Sequence, residues 1–264
     1  KINDLNINSK INLITLELKE NFNNLETFLP SYKEIIEFKD HKILINYKKE
    51  LLEIAGSGNI MIEKNSDNID YKITKKNDLY LFATKLNIKK NLLVLNFLNY
   101  TKNVNTKASL LINGSFKKNK KIKFDKILLD ESNNKILMKD LTLNKNFKIS
   151  NIESIDLDYL NDNKIHNKLI IKKHKNKYTI EGKSFDASTI IDNLMNSDHD
   201  KDQSIFANLN SEIILNIDKT YIDNETFIND VSGIFSYKEN KINDLDLKDF
   251  FENQKRLSLS IKTN

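Results

Sequence analysis

The amino-acid sequence predicts an all-β protein: a long twisted antiparallel meander that forms an open elongated groove, with one or two short helices. Three observations carry this expectation. Apolar and polar residues alternate with period two through most of the 264 residues. Short polar breaks interrupt the alternation at intervals of roughly 8 to 12 residues, the spacing of consecutive hairpins. Parallel neighbours would require crossover helices, and the sequence does not supply them.

Taken in order, residues 11–18 read as a first strand. Residues 22–29 (FNNLETFL) read as a helical turn, stopped by Pro30, because proline disfavours helical angles at the residue before it. Leu52, Ile54, Gly56, Gly58, Ile60 and Ile62 share one face of a strand. Gly56-Ser57-Gly58 lacks the third glycine and the following helix of a phosphate-cradling loop, so it reads as a bulge or bend. Ile69, Tyr71 and Ile73 alternate against Asp70, Lys72 and Thr74, and Ile122 and Phe124 against Lys121, Lys123 and Asp125. Residues 92–100 (LLVLNFLNY) fit a buried strand or a short helix equally well.

Residues 182–195 (GKSFDASTIIDNLM) break the pattern. Asp186, or Ser184, suits a helix N-cap. Ala187, Ile190, Ile191 and Leu194 then recur at helical spacing, which predicts a short helix over 186–196 lying on the apolar side of the sheet. Residues 196–204 (NSDHDKDQS) form a very polar loop. Beyond it, Ile213, Leu215 and Ile217 make one alternating row and Leu257, Leu259 and Ile261 another. No linker divides the chain, so residues 1–264 read as one continuous segment with that helix and loop as an internal break. The start at Lys1 suggests a piece of a longer protein.

Composition narrows the function classes. The chain carries 42 basic and 37 acidic residues, a net charge of +5, and Arg256 is its one arginine. Base readers rely on arginine for bidentate contacts, so a nucleic-acid partner is not expected. The lysine, asparagine and isoleucine bias reads as the codon usage of an A+T-rich genome. With no cysteine there is neither a disulfide framework nor thiolate chemistry. No apolar run approaches the roughly 20 residues that span a bilayer as a helix. The strands look shorter than the 9 to 11 residues of outer-membrane barrels, and their outward rows carry Lys, Asp and Asn. A trough is therefore favoured over a lipid-facing barrel.

Catalytic and metal signals are weak. His41, His166, His174 and His199 stand apart without ligand spacing and read as exposed polar residues. Asp198, Asp200 and Asp202 match the start of a calcium loop, but Gln203 and Leu209 stand where its glycine and glutamate belong. Asn99, Asn113 and Asn224 match the glycosylation acceptor pattern, which arises by chance in an Asn-rich chain. Asp156 with Asp158, and Asp244 with Asp246, share strand faces and read as solvated rows. No serine, histidine and aspartate are placed as a triad. The expectation is a non-enzyme without metal or cofactor.

One resemblance goes further. Gly182 followed by Ser184-Phe185-Asp186-Ala187 and then Ile190, Ile191 and Leu194 resembles a segment of the AsmA-like envelope protein family, of the TamB and YhdP type found in alphaproteobacteria. Val231-Ser232-Gly233-Ile234-Phe235-Ser236, residues 243–247 (NDLDL), residues 257–261 (LSLSI), and Gly114 in LLINGSF repeat that family's rhythm. The resemblance implies a β-groove with an apolar floor and a polar exterior. It implies a periplasmic location, with an inner-membrane anchor outside this chain. It also implies phospholipid as cargo between the inner and outer membranes. The apolar rows Ile69, Tyr71, Ile73, Ile213, Leu215, Ile217, Leu257, Leu259 and Ile261 are then the groove candidates, with Asp186, Ile190, Ile191 and Leu194 as a structural brace. Two alternatives are a scaffold for outer-membrane proteins that uses an open sheet edge, and a secreted β-rich surface domain.

Overall fold

The computed structural model describes residues 5–19, 25–32, 35–62, 65–117, 121–146, 148–195, 210–238, 241–251 and 256–262. The fold is the predicted all-β, mostly antiparallel meander with open sheets and two short helices. The chain clusters into two compact units, one of residues 1–96 and 101–132, the other of residues 97–100 and 133–264.

In the first unit the strands are β1 (Asn6–Lys19), β2 (Ile35–Lys48), β3 (Leu51–Ile62), β4 (Asn65–Lys76), β5 (Leu79–Ile88), β8 (Ala108–Lys117) and β9 (Ile122–Glu131), paired in that order and all antiparallel. A short helix α1 (Leu25–Phe28) follows β1 and stops two residues before Pro30. Between β5 and β8, residues 92–100 resolve into β6 (Leu93–Leu95) and a 3-10 turn (Asn96–Leu98), and β7 (Tyr100–Lys102) pairs with β6. Both earlier readings of that stretch, strand and helix, are thus partly present.

The second unit holds β10 (Asn134–Leu143), β12 (Ser154–Leu160), β13 (His166–His174), β14 (Lys177–Asp186), β15 (Ser211–Tyr221), β16 (Phe227–Lys238), β17 (Lys241–Phe251) and β18 (Arg256–Lys262), in that order. The short β11 (Ile149–Asn151) pairs with β10. The pairing corrects one expectation. β14 and β15 run parallel, from Lys177 opposite Glu212 to Asp186 opposite Tyr221. The helix α2 (Ser188–Met195) lies in the connection that returns the chain to the end at which β14 begins, so the crossover thought missing is the segment first read as an internal break.

Strand length is a second correction. β1 and β2 have 14 residues, and β3 and β4 have 12. The polar run Lys39-Asp40-His41-Lys42 looks like a turn in sequence but lies inside β2. Asp40 takes φ 54°, and the register with β3 slips there, from Lys39 opposite Asn59 to Lys42 opposite Ser57. This is a β-bulge, which bends the strand without ending it. Length therefore no longer separates these strands from barrel strands, whereas the polar outer rows still do.

Candidate functional site

Register assembles the predicted apolar rows into faces. In the first unit Ile45, Ile54, Ile73, Phe82 and Gly114 are successive cross-strand neighbours from β2 to β8. Beside them run Ile43, Gly56, Tyr71, Thr84 and Ile112, and next Gly58, Ile69, Leu86 and Leu110. Ile69, Tyr71 and Ile73 are half-buried in the middle of this face. Toward the end of the sheet marked by Ile60, Ile62, Ile88, Ala108 and Leu129, the same face becomes fully buried. Tyr32 and Leu93 are buried too, and α1 packs against β6.

The glycines let aromatic rings lie flat on this face. A Cβ at Gly56 would overlap the Tyr71 ring, and one at Gly58 would overlap the His41 ring. His41 is 1% exposed, which corrects its reading as an exposed polar residue. Its Nε2 pairs with the Asn59 carbonyl at 2.9 Å, and its ring meets Phe38 edge-on at 5.4 Å and Tyr71 at 5.8 Å. Burial raises the Tyr71 hydroxyl pKa above the ordinary tyrosine value. The sequence signal for this cluster was two glycines spaced by two within an apolar row.

In the second unit a single row of neighbours crosses seven strands: Ile155, Ile171, Ile180, Leu215, Gly233, Leu247 and Leu259. Tyr178, Ile213, Phe235, Leu245 and Ile261 run alongside. Two predicted rows, distant in sequence, therefore belong to one face. Leu257 pairs with Asp249. The side chains of Leu257, Leu259 and Ile261 lie outside the described residues. Ile213 and Leu215 are half-buried, but Ile217 is only 2% exposed, so that row runs from open floor into packed protein.

Each unit fixes one carboxylate in a dense hydrogen-bond network. Asp67 Oδ1 accepts from the Lys89 and Lys90 N–H at 2.8 and 3.0 Å, and Oδ2 from the Asn91 N–H and Nδ2 at 3.2 and 2.8 Å. Burial opposes ionisation of Asp67, yet these donors outweigh it and hold the carboxyl below its ordinary range. The fully buried Lys102 ammonium donates to the Lys89 and Asn91 carbonyls. Burial lowers its pKa, against the pull of Asp67 and Glu131.

In the second unit, buried Asp186 accepts from Asn161 Nδ2 at 2.6 Å, Asn163 Nδ2 at 3.2 Å and the Ser188 N–H at 3.0 Å. Asp186 thus ends β14 and anchors the entry to α2, which begins at Ser188 rather than at 186. Buried Tyr159 donates to the Leu98 carbonyl at 2.9 Å, and burial together with the Asp186 charge raises its pKa. Ile191 is half-buried and Ile190 is 45% exposed. The Leu194 side chain and the Asp198, Asp200 and Asp202 loop lie outside the described residues.

The opposite faces carry most of the charged side chains, with Leu44, Leu81, Ile170 and Ile234 exposed among them. Asp158 takes His166 Nε2 at 2.6 Å and Lys168 Nζ at 2.8 Å. The Lys168 contact is the main reason its carboxyl sits below the ordinary range, with His166 adding to it and slight burial opposing. Asp244 pairs with the Ser236 hydroxyl at 3.1 Å. Among the described residues no three His, Asp or Glu side chains are grouped as metal ligands, and no helix is long and apolar enough to cross a membrane. Comparisons with protein-family models, with curated proteins and with solved structures find no match.

Proposed function

We propose that the chain is a lipid-transfer segment of an AsmA-like envelope protein, shielding phospholipid acyl chains in the periplasm between the inner and outer membranes. The observation that supports this reading is the half-buried state of the central apolar rows. Ile54, Ile69, Tyr71 and Ile73 in the first unit, and Ile180, Ile213 and Leu215 in the second, keep part of their surface open. A face of that kind has unspent hydrophobic driving force. An acyl chain laid on it gains about 0.8 kcal/mol for each CH₂ removed from water. The polar opposite face and the headgroup both remain hydrated, and no covalent step is needed.

The test is site-specific photo-crosslinking in cells, with the probe at Leu215 and a control at exposed Asn216 on the other face. Phospholipid adducts are expected from Leu215 alone. Equal capture from both positions, or none from Leu215, would overturn the conduit reading.

A second reading, a scaffold for outer-membrane proteins, is favoured by β1. Its outer edge has no partner strand among the described residues. It exposes Ile7, Ile11, Ile14 and Leu16, with Ile14 79% exposed. Such an edge is a template for an added strand. Disulfide capture of a partner strand by a cysteine at Ile14, without lipid at Leu215, would select this reading.

A further inference from the structure

We propose that the polar face of the first unit carries a separate binding site for a small anionic amphiphile of the long-chain carboxylate class. A cavity of about 680 Å³ opens there, within the range of ligand pockets. Two cross-strand rows dominate its lining. One runs Lys10, Leu44, Ala55, Lys72 and Ala83; the other runs Lys42, Ser57, Asp70, Lys85 and Leu111. These residues alternate with Ile43, Gly56, Tyr71 and Thr84 of the apolar rows, so they point to the opposite side of the sheet. Ile43, Gly56, Tyr71 and Thr84 border the cavity as well, while its charged residues stand on the face opposite the proposed acyl-chain floor.

The lining has the two chemistries an anionic amphiphile needs. Ala55 and Ala83 are short, and their position between longer neighbours leaves the depression. Leu44 and Leu111 add apolar walls, and Leu44 is 46% exposed. Around this floor stand Lys10, Lys42, Lys72 and Lys85 against a single carboxylate, Asp70. The whole chain is nearly balanced, at 42 basic to 37 acidic residues, so its lysine content alone does not account for this local excess. Lys72 pairs with Glu53 at 3.4 Å. Lys10, Lys42 and Lys85 have no carboxylate partner within ion-pair distance among the described residues. A neutral or cationic amphiphile would leave this charge uncompensated, whereas a carboxylate headgroup meets it and its tail covers the alanines and leucines.

The experiment is calorimetric titration of the full chain with dodecanoate, with dodecanol and dodecyltrimethylammonium as neutral and cationic probes, below their micellar concentrations. Dodecanoate is expected to bind in preference to both. The double variant Lys42→Glu, Lys85→Glu, and separately Ala83→Trp, should each weaken it by about tenfold or more. Lys168→Glu, an exposed lysine of the second unit outside this cavity, should leave it unchanged. Both lysines are exposed, so the charge reversal reports on binding even if the tryptophan perturbs folding. Unchanged affinity in the charge-reversed protein would overturn the proposal, as would equal binding of the cationic probe. A loss in Lys168→Glu as large as in the charge reversal would trace the effect to net charge rather than to this cavity, and would equally overturn it.

Discussion

Glycine has an unusual job in this chain. All five glycines lie in strands and none has positive φ. The left-handed positions are taken by other residues, including Lys49 and Glu50 between β2 and β3, Asn77 after β4 and Lys175 after β13. Two successive positive-φ residues make the mirror-image turn that suits a tight hairpin. A lysine and a glutamate adopt it there at a conformational cost, which the long paired strands on either side offset. Gly56 and Gly58 are spent where a Cβ would collide with a ring, and Gly114, Gly182 and Gly233 where it would collide with a backbone carbonyl of the neighbouring strand. Asp67 is the other residue with a decided role. Its carboxyl ionises more readily in the folded protein than in the unfolded chain, whose aspartate pKa is about 3.9. As pH falls, the unfolded chain therefore takes up the proton first. The stabilisation is whole above that value and drains away as pH falls through the lower folded pKa. Asp67→Asn should reduce stability at pH 7 by about 2 to 3 kcal/mol, since the Asn91 amide loses a charged acceptor. It should also flatten the acid limb of stability against pH. Urea unfolding of both proteins from pH 3 to 7 checks this, and parallel pH curves would refute the assignment.

At the scale of elements, the crossover from β14 to β15 depends on Asp186, which closes one strand and receives the first turn of the next helix. Asp186→Ala would strand the amides of Asn161 and Asn163 as well as the Ser188 N–H. A loss of about 2 to 3 kcal/mol is expected, with faster hydrogen exchange in residues 187–191 and in β15. Unchanged exchange there would mean that the parallel pairing holds without this anchor. This segment also shows what was legible in the sequence. Local alternation revealed β1, β3, β4, β9, β15 and β18, and helical spacing revealed α2, because side-chain period follows directly from backbone geometry. The bulges at Asp40 and Asp230 were hidden, because a polar residue in a left-handed conformation looks the same in sequence whether it ends a strand or bends one. The direction of β15 was hidden too, because it is set by where the chain lands after α2, and no local pattern encodes that. Ile213, Leu215 and Ile217 were recognisable as a row. That Ile217 would be packed between Gly182 and Val231 while Leu215 stayed open was a tertiary outcome.

For the molecule as a whole, the question is whether its apolar rows are floors or cores, and each unit contains both kinds of position. Ile73 and Leu215 are half-buried; Ile62 and Ile217 are buried on the same strand systems. An arginine at an open position can lay its stem along neighbouring apolar surface and carry its charge out to water. An arginine at a closed position leaves an unpaired buried charge, which costs roughly 3 to 5 kcal/mol. Ile73→Arg and Leu215→Arg are therefore expected to shift the urea midpoint little, about 1 kcal/mol or less in each unit. Ile62→Arg and Ile217→Arg should unfold their units or come close to it. The functional consequence runs the other way. Leu215→Arg places a cation in the path of an acyl chain, so a folded protein should lose bound phospholipid. Equally severe unfolding by all four variants would show that the rows are ordinary core and that nothing slides along them. Mild effects from Ile73→Arg and Leu215→Arg, with lipid content falling while the fold persists, are the combination that an open lipid floor predicts and a closed sandwich does not.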